Sequence, residues 1–134
     1  KKKEIFDEDL IEIVGGKSDE DTSHFKLEYL HTVSGTGTVP TSTVRLQMGK
    51  EIVQKSAWGD GPVDATYAAL REASNSDAKV DGFSIRAVTS GSQALGEVTV
   101  HLSLLGQIVR GRGVSTDVIE ASAKAYVDAL NRLH

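Results

Sequence analysis

The spacing of apolar positions switches between a helical period and a period of two along the chain. Residues 1–14 carry apolar side chains near helical spacing, and Gly15 and Gly16 would end that helix before a polar stretch to Ser23. From His24 onward apolar and polar residues alternate, which predicts strands. In the first of these strands, one face is expected to carry Phe25, Leu27, Tyr29, His31 and Val33.

The alternation occurs in two blocks, each of which predicts three strands followed by a helix. In residues 25–74 the helix is expected to begin at Pro62, whose missing N–H costs nothing in a first turn. In residues 80–133 the helix is expected to have Ser115 as its N-cap. The sequence therefore predicts an α+β fold of two βββα units related by internal pseudo-symmetry.

These blocks also predict the domain organisation. Residues 1–23 are expected to be the end of a linker helix and a loop, and residues 24–134 to form one domain. Three strands and one helix do not bury a sheet face well alone. We therefore expect two units, or two chains, to pack together and form the core.

Composition narrows the possible functions. The chain has 134 residues, no Cys, and 15 basic against 19 acidic residues, for a formal net charge of −4. This balance gives no overall attraction to nucleic acid or to an anionic membrane. No apolar run approaches the roughly 20 residues that a membrane span needs. A soluble, cytoplasmic domain without a nucleic-acid or membrane partner is the expectation.

The sequence offers little that would support catalysis. None of the four His has a partner at metal-ligand spacing, and the motifs of serine hydrolases and P-loop enzymes are absent. Gly111 and Gly113 lie between a strand and a helix but lack the third glycine of a dinucleotide site. Arg110 and Arg112 could line an anionic pocket, although a solvated strand edge is favoured. We expect no catalytic and no metal-binding residues.

The junction between the first three strands and their helix, Gly59 to Asp64, is the most informative local feature. Its glycines permit close approach of a small ligand, and free N–H groups at a helix start attract a carboxylate. Asp60 and Asp64 could receive an ammonium group, so the junction would suit a free amino acid. The alternative is structural: Asp60 caps the helix and Asp64 adds favourable charge to its first turn.

This junction is also the place where the chain resembles a known family. The run from Ala57 to Leu70 resembles the first signature of the C-terminal regulatory domain of 2-isopropylmalate synthase, the LeuA allosteric domain. Residues 87–98 and 111–131 resemble its middle and final segments. The resemblance covers residues 24–134, and Lys1 to Leu10 also resemble the end of the linker that precedes this domain.

The resemblance implies a dimerising domain that binds leucine for feedback inhibition of leucine biosynthesis. The parent enzyme would condense acetyl-CoA with 2-oxoisovalerate in a TIM barrel that uses a divalent metal. This domain itself would need no cofactor and would catalyse nothing. Two alternatives stay open: the isoleucine-sensing domain of citramalate synthase, and a dimerisation module without sensing.

The resemblance further implies an effector site near the dimer interface, at the first helix start and the fourth strand. The residues at its polar end would be Asp60, Gly61, Pro62, Val63 and Asp64. Its side-chain pocket would be lined by Val80, Phe83, Ala87, Ala94 and Val114. Phe83 departs from the common pattern, since that position is often Tyr, and a hydroxyl is thereby lost.

Overall fold

A computed structural model describes residues 24–133, so the predicted helix and loop of residues 1–23 lie outside the described residues. The elements in chain order are β1 (Phe25–Gly35), β2 (Thr38–Met48), β3 (Glu51–Trp58), α1 (Pro62–Ser74), β4 (Lys79–Ser90), β5 (Gln93–Leu104), β6 (Gln107–Ser115) and α2 (Val118–Arg132). This order confirms the predicted α+β fold of two successive βββα units.

Each unit contains one antiparallel sheet with its strands in sequence order, β1-β2-β3 and β4-β5-β6. Every second residue of the central strands is buried beneath the helices, because successive strand side chains point to opposite faces. The fully buried aliphatic residues of β2 and β5 are Val44, Leu46, Val98, Val100 and Leu102. We call the helix-covered side of each sheet its inner face and the opposite side its outer face.

Helix α2 lies unusually close to β6 because that strand presents glycines to it. A Cβ added to Gly111 would lie closer than 3.0 Å to backbone atoms of Ala125 and Ala129. A Cβ at Gly113 would meet the backbone of Ala121 and Ala125 equally closely. The glycines and the small-residue face of α2 therefore permit backbone-to-backbone packing that no larger residue would allow.

The two units are not covered equally. Helix α2 packs on its own sheet and also reaches β1, where the Asn131 side chain bonds both the N–H and the C=O of Phe25 at 2.7 and 3.0 Å. Within residues 24–133 the inner face of β4 receives no comparable cover: Phe83 and Ile85 are 45% and 49% exposed. Their cross-strand partners on β5, Val100 and Val98, are fully buried.

The predicted face assignment in β1 is wrong beyond Leu27. Leu27 pairs with Leu46 and Tyr29 pairs with Arg45, so Glu28 is an extra residue that forms a β-bulge. The bulge reverses the alternation for the rest of the strand. Tyr29, His31 and Val33 consequently lie on the outer face, while Leu30 takes the inner position opposite Val44.

Among the described residues, none of the helices is long and apolar enough to cross a membrane.

The close contact between α2 and β6 predicts a sharp position dependence for glycine substitution. Gly111→Ala should lower the free energy of unfolding by roughly 1–3 kcal/mol or more, because the new Cβ meets helix backbone that cannot move locally. Gly82→Ala is the matched control, since nothing lies within 4 Å of a Cβ there. Urea unfolding at one fixed protein concentration measures both variants, and equal effects would contradict the packing described.

Candidate functional site

The two helices begin in different ways. In α2 the N-cap is Asp117, whose carboxylate accepts a hydrogen bond from the Ile119 N–H at 2.8 Å. The predicted N-cap, Ser115, is therefore wrong by two residues; its hydroxyl instead accepts from the Asp117 N–H and donates to Glu120. In α1 the N-cap is Gly61, and no side chain caps the helix.

The start of α1 thus has no side-chain acceptor for its first N–H groups. The structural alternative in which Asp60 caps the helix is contradicted, because the cap residue is Gly61 in extended conformation. Pro62 has no N–H, and the Ala65 N–H bonds the Gly61 carbonyl at 2.9 Å. The N–H groups of Val63 and Asp64 remain, at the positive end of the helix dipole.

The junction is held in place by backbone contacts. The Gly59 N–H donates to the Pro40 carbonyl at 3.1 Å, which ties the junction to β2. A Cβ at Gly59 would lie closer than 3.0 Å to backbone atoms of Asp64 and Ala65. By contrast, a Cβ at Gly61 would meet nothing within 4 Å. The first turn of α1 is therefore held by its close contact with Gly59, while the space beside Gly61 is open.

Four of the predicted pocket residues share one surface. The cross-strand pairs Val80 with Leu102, Phe83 with Val100, Ala87 with Gly96 and Thr89 with Ala94 belong to the inner face of the second sheet. This face places Val80, Phe83, Ala87 and Ala94 on one side, all of them exposed. Val114 pairs with Glu97 on the outer face. The structure does not bring Val114 together with the other four residues.

Tyr67 links the start of α1 to this surface. It lies one turn after Asp64, and its ring meets that of Phe83 edge to face, with the ring centroids 6.0 Å apart and an interplanar angle of 89°. The opposite neighbour is Tyr126 of α2, at 5.1 Å. The Tyr67 ring thereby connects the helix that begins at Pro62 to the exposed inner face of β4.

The start of α1 and the inner face of β4 together offer the groups that an amino acid zwitterion requires. Free N–H groups at a helix start can donate hydrogen bonds to a carboxylate, and the exposed Asp60 and Asp64 supply negative charge for an ammonium group. The inner face of β4 supplies an apolar surface next to them. The chemistry favours a small molecule with a charged end and an aliphatic end.

The outer face of the second sheet carries a different arrangement. Here a cavity of about 900 Å³ is lined by Arg86, Arg110, Arg112 and Arg132 together with Glu97, three other polar residues and Val109. The Glu97 carboxylate, only 6% exposed, accepts from Arg86 at 2.6 Å and from Arg112. The two guanidinium groups hold the pKa of Glu97 below its usual value. Arg112 of β6 is thus paired with Glu97 of β5, which also pairs with Arg86 of β4, and these ion pairs connect the three strands.

Two polar features of these surfaces escaped the sequence analysis. Strand alternation predicts Glu97 only as a polar residue of β5, and helical spacing predicts Tyr67 only as part of the apolar stripe of α1. The ion pair of Glu97 could be found from the sequence if the strand register were known, because Arg86 is then its direct cross-strand partner on one side and Val114 on the other. No comparable local signal exists for Tyr67, because its surroundings come from β4 and α2.

Metal ligands are not gathered in the part of the chain that the structure describes: residues 24–133 contain no group of three or more His, Asp or Glu that could hold a metal ion.

Comparison with known proteins places these features in a family. Residues 4–134 match the family described as the LeuA allosteric (dimerisation) domain. The chain is 46% identical over 134 residues to a 2-isopropylmalate synthase of Nitrosomonas europaea. It is 44% identical over 133 residues to that of Heliobacterium modesticaldum and 47% identical over 134 residues to that of Polynucleobacter asymbioticus. These alignments cover 100%, 99% and 99% of this chain, but 26% of each relative.

The Glu97 ion pairs predict a pH-dependent stability. Glu97→Gln should lower the free energy of unfolding at pH 7, because a neutral amide cannot form ion pairs with Arg86 and Arg112. The difference from wild type should be complete above the ordinary carboxyl pKa of 4.5 and shrink as the pH falls through the lowered pKa of native Glu97. Urea unfolding across this pH range measures it, with Glu72→Gln on the exposed side of α1 as the control. A difference that does not change with pH would contradict this assignment.

Proposed function

Because the chain belongs to the LeuA allosteric (dimerisation) domain family, we propose that it is the leucine-sensing domain of a cytoplasmic 2-isopropylmalate synthase. The observation that carries the proposal is the uncapped start of α1, beside an exposed apolar face of β4. In this proposal leucine binds there and reports the level of the end product of leucine biosynthesis. The chain spans about a quarter of its relatives' length, and catalysis by the parent belongs to the remainder.

The proposed site divides leucine into two ends. The carboxylate lies before Gly61 and accepts from the N–H groups of Val63 and Asp64, and the ammonium group faces the carboxylates of Asp60 and Asp64. The aliphatic side chain packs on Phe83 and Ala87. Burying a leucine side chain contributes about 1.5–3 kcal/mol, so the polar end must supply the rest of the affinity.

Selectivity among branched-chain amino acids depends on the shape of the apolar end. One methylene in an apolar pocket distinguishes ligands by about 1–3 kcal/mol. Val80, Phe83, Ala87 and Ala94 share this surface and are the proposed determinants. Val114, on the opposite face of the same sheet, is left out of the single-chain site. Preference for isoleucine would instead favour the citramalate synthase alternative.

We further propose that the inner face of β4 is where a second copy of the chain packs. An apolar strand face continuous with a buried core normally has a partner, and Phe83 and Ile85 form such a face here. A homodimer through this face would enclose the leucine site between two chains. Leucine would then inhibit the parent enzyme, through its TIM barrel, only by binding one arrangement of the dimer more tightly than another.

Leucine binding and its dependence on the helix start can be measured together by isothermal titration calorimetry. Wild type should bind leucine more tightly than isoleucine or valine. Gly61→Asp should weaken leucine binding by about tenfold or more, because the new carboxylate caps α1 and occupies the same N–H groups. The same substitution should leave the protein equally or more stable in thermal unfolding.

The matched control is Gly61→Ala, which adds a Cβ in the same open space without a carboxylate. Its leucine affinity should stay closer to that of wild type. If folded wild type binds none of the three amino acids, the proposal of a leucine-sensing domain is refuted, and the alternative of a dimerisation module without sensing remains. Equal leucine binding by wild type and Gly61→Asp would exclude the start of α1 as the carboxylate site.

The proposed dimer surface predicts different effects for a charge introduced on the inner face and on the outer face of the second sheet. Ile85→Lys should shift the protein toward monomer in sedimentation velocity, because it places a charge in the proposed interface. Ile108→Lys is the control, since Ile108 is 63% exposed on the outer face of the same sheet. A dimer that survives Ile85→Lys unchanged, or is lost equally in both variants, would rule out this face.

A further inference from the structure

The Tyr67 hydroxyl is a buried polar group without a partner. The residue is 7% exposed, and its hydroxyl is the one buried side-chain polar atom that lacks a hydrogen bond among the described residues. Leaving such a group unpaired is costly, and native proteins satisfy nearly all of them with protein, water or ligand. The residues that the structure describes thus leave the Tyr67 hydroxyl without the partner that such a group normally has.

The neighbours of this hydroxyl do not satisfy it. Burial raises the pKa of Tyr67 to about 12, and nearby Ser122 opposes that rise. The Ser122 hydroxyl donates its own proton to the Val118 carbonyl at 2.8 Å. In the part of the chain that the structure describes, no acceptor, Ser122 included, meets the Tyr67 hydroxyl at hydrogen-bond distance and angle. Tyr67 therefore keeps its proton at neutral pH and remains available as a donor.

The surroundings of Tyr67 belong to the leucine site proposed above. Asp64 lies one turn earlier on α1, and the ring contacts Phe83 of β4. On the side of α2, Val118 approaches Gly96, which is the cross-strand partner of Ala87. Asp64 and Ser122 both act on the pKa of Tyr67, so its hydroxyl lies between the beginning of α1 and the beginning of α2, beside Phe83.

We propose that the Tyr67 hydroxyl is a ligand-binding group that donates a hydrogen bond to the carboxylate of the bound amino acid. The carboxylate is the matching partner because Tyr67 offers a proton, while Asp60 and Asp64 are acceptors suited to the ammonium group. Two N–H groups of α1 and one hydroxyl would then hold the two carboxylate oxygens. This inference rests on the proposed function and adds a residue that selects amino acids over apolar molecules of the same shape.

The test compares Tyr67→Phe with wild type by calorimetric titration of leucine and by urea unfolding without leucine. Tyr67→Phe should bind leucine about tenfold or more weakly, because a hydrogen bond to a charged group is lost. Its stability without leucine should be unchanged or higher, because an unpaired polar atom has been removed. The matched control is Tyr126→Phe, which removes a hydroxyl from the adjacent ring and should change the leucine affinity less than about twofold.

Each outcome separates this inference from the proposed function. Wild type that binds no leucine would overturn the proposed function and this inference with it. If wild type and Tyr67→Phe bind leucine equally, this inference is overturned while the proposed function stands. A clear loss of stability in Tyr67→Phe without leucine would also overturn it, since the hydroxyl would then have a partner in the free protein.

Discussion

The contact between α2 and the glycine strand β6 determines much of the remaining structure. Gly111 and Gly113 let the helix backbone rest directly on the strand backbone, which fixes both the height and the direction of α2. From that position α2 also reaches β1, where Asn131 binds the backbone of Phe25. The two units are therefore in contact through α2, which meets both β1 and α1, and within residues 24–133 the inner face of β4 is left largely uncovered.

The same principle operates at the start of α1 with a different result. Gly59 lets the helix backbone approach β3, and Gly61 follows as a cap residue without a side chain. The first turn is consequently held firmly while its N–H groups stay unoccupied. Rigid support behind an open polar end is the arrangement that lets a small ligand bind without first reorganising the protein.

Sequence periodicity predicted the fold because both sheets have one buried face and both helices one apolar stripe. It failed in β1, where a single bulge residue, Glu28, reverses the pattern without any local signal. It also placed the α2 cap at Ser115, since Ser and Asp are comparable N-caps and the packing of α2 selects Asp117. Phe83 and Ala87 are four residues apart in one strand, so alternation alone puts them on the same face. The face of Val114, by contrast, depends on how β6 is paired with β5. The burial of the Tyr67 hydroxyl could not be predicted, because it results from the packing of α1, β4 and α2, which are distant in sequence.

The capped and uncapped helix starts have a consequence for stoichiometry. Repetition of a βββα unit would by itself give two equivalent anion sites in each chain. Asp117 occupies one of them with its own carboxylate, so of the two helix starts that the structure describes only that of α1, at Gly61, keeps free N–H groups. Under the proposed function, one amino acid effector binds per chain and two bind per pair of chains. Because the start of α2 offers no second site, any cooperativity under this proposal passes between chains.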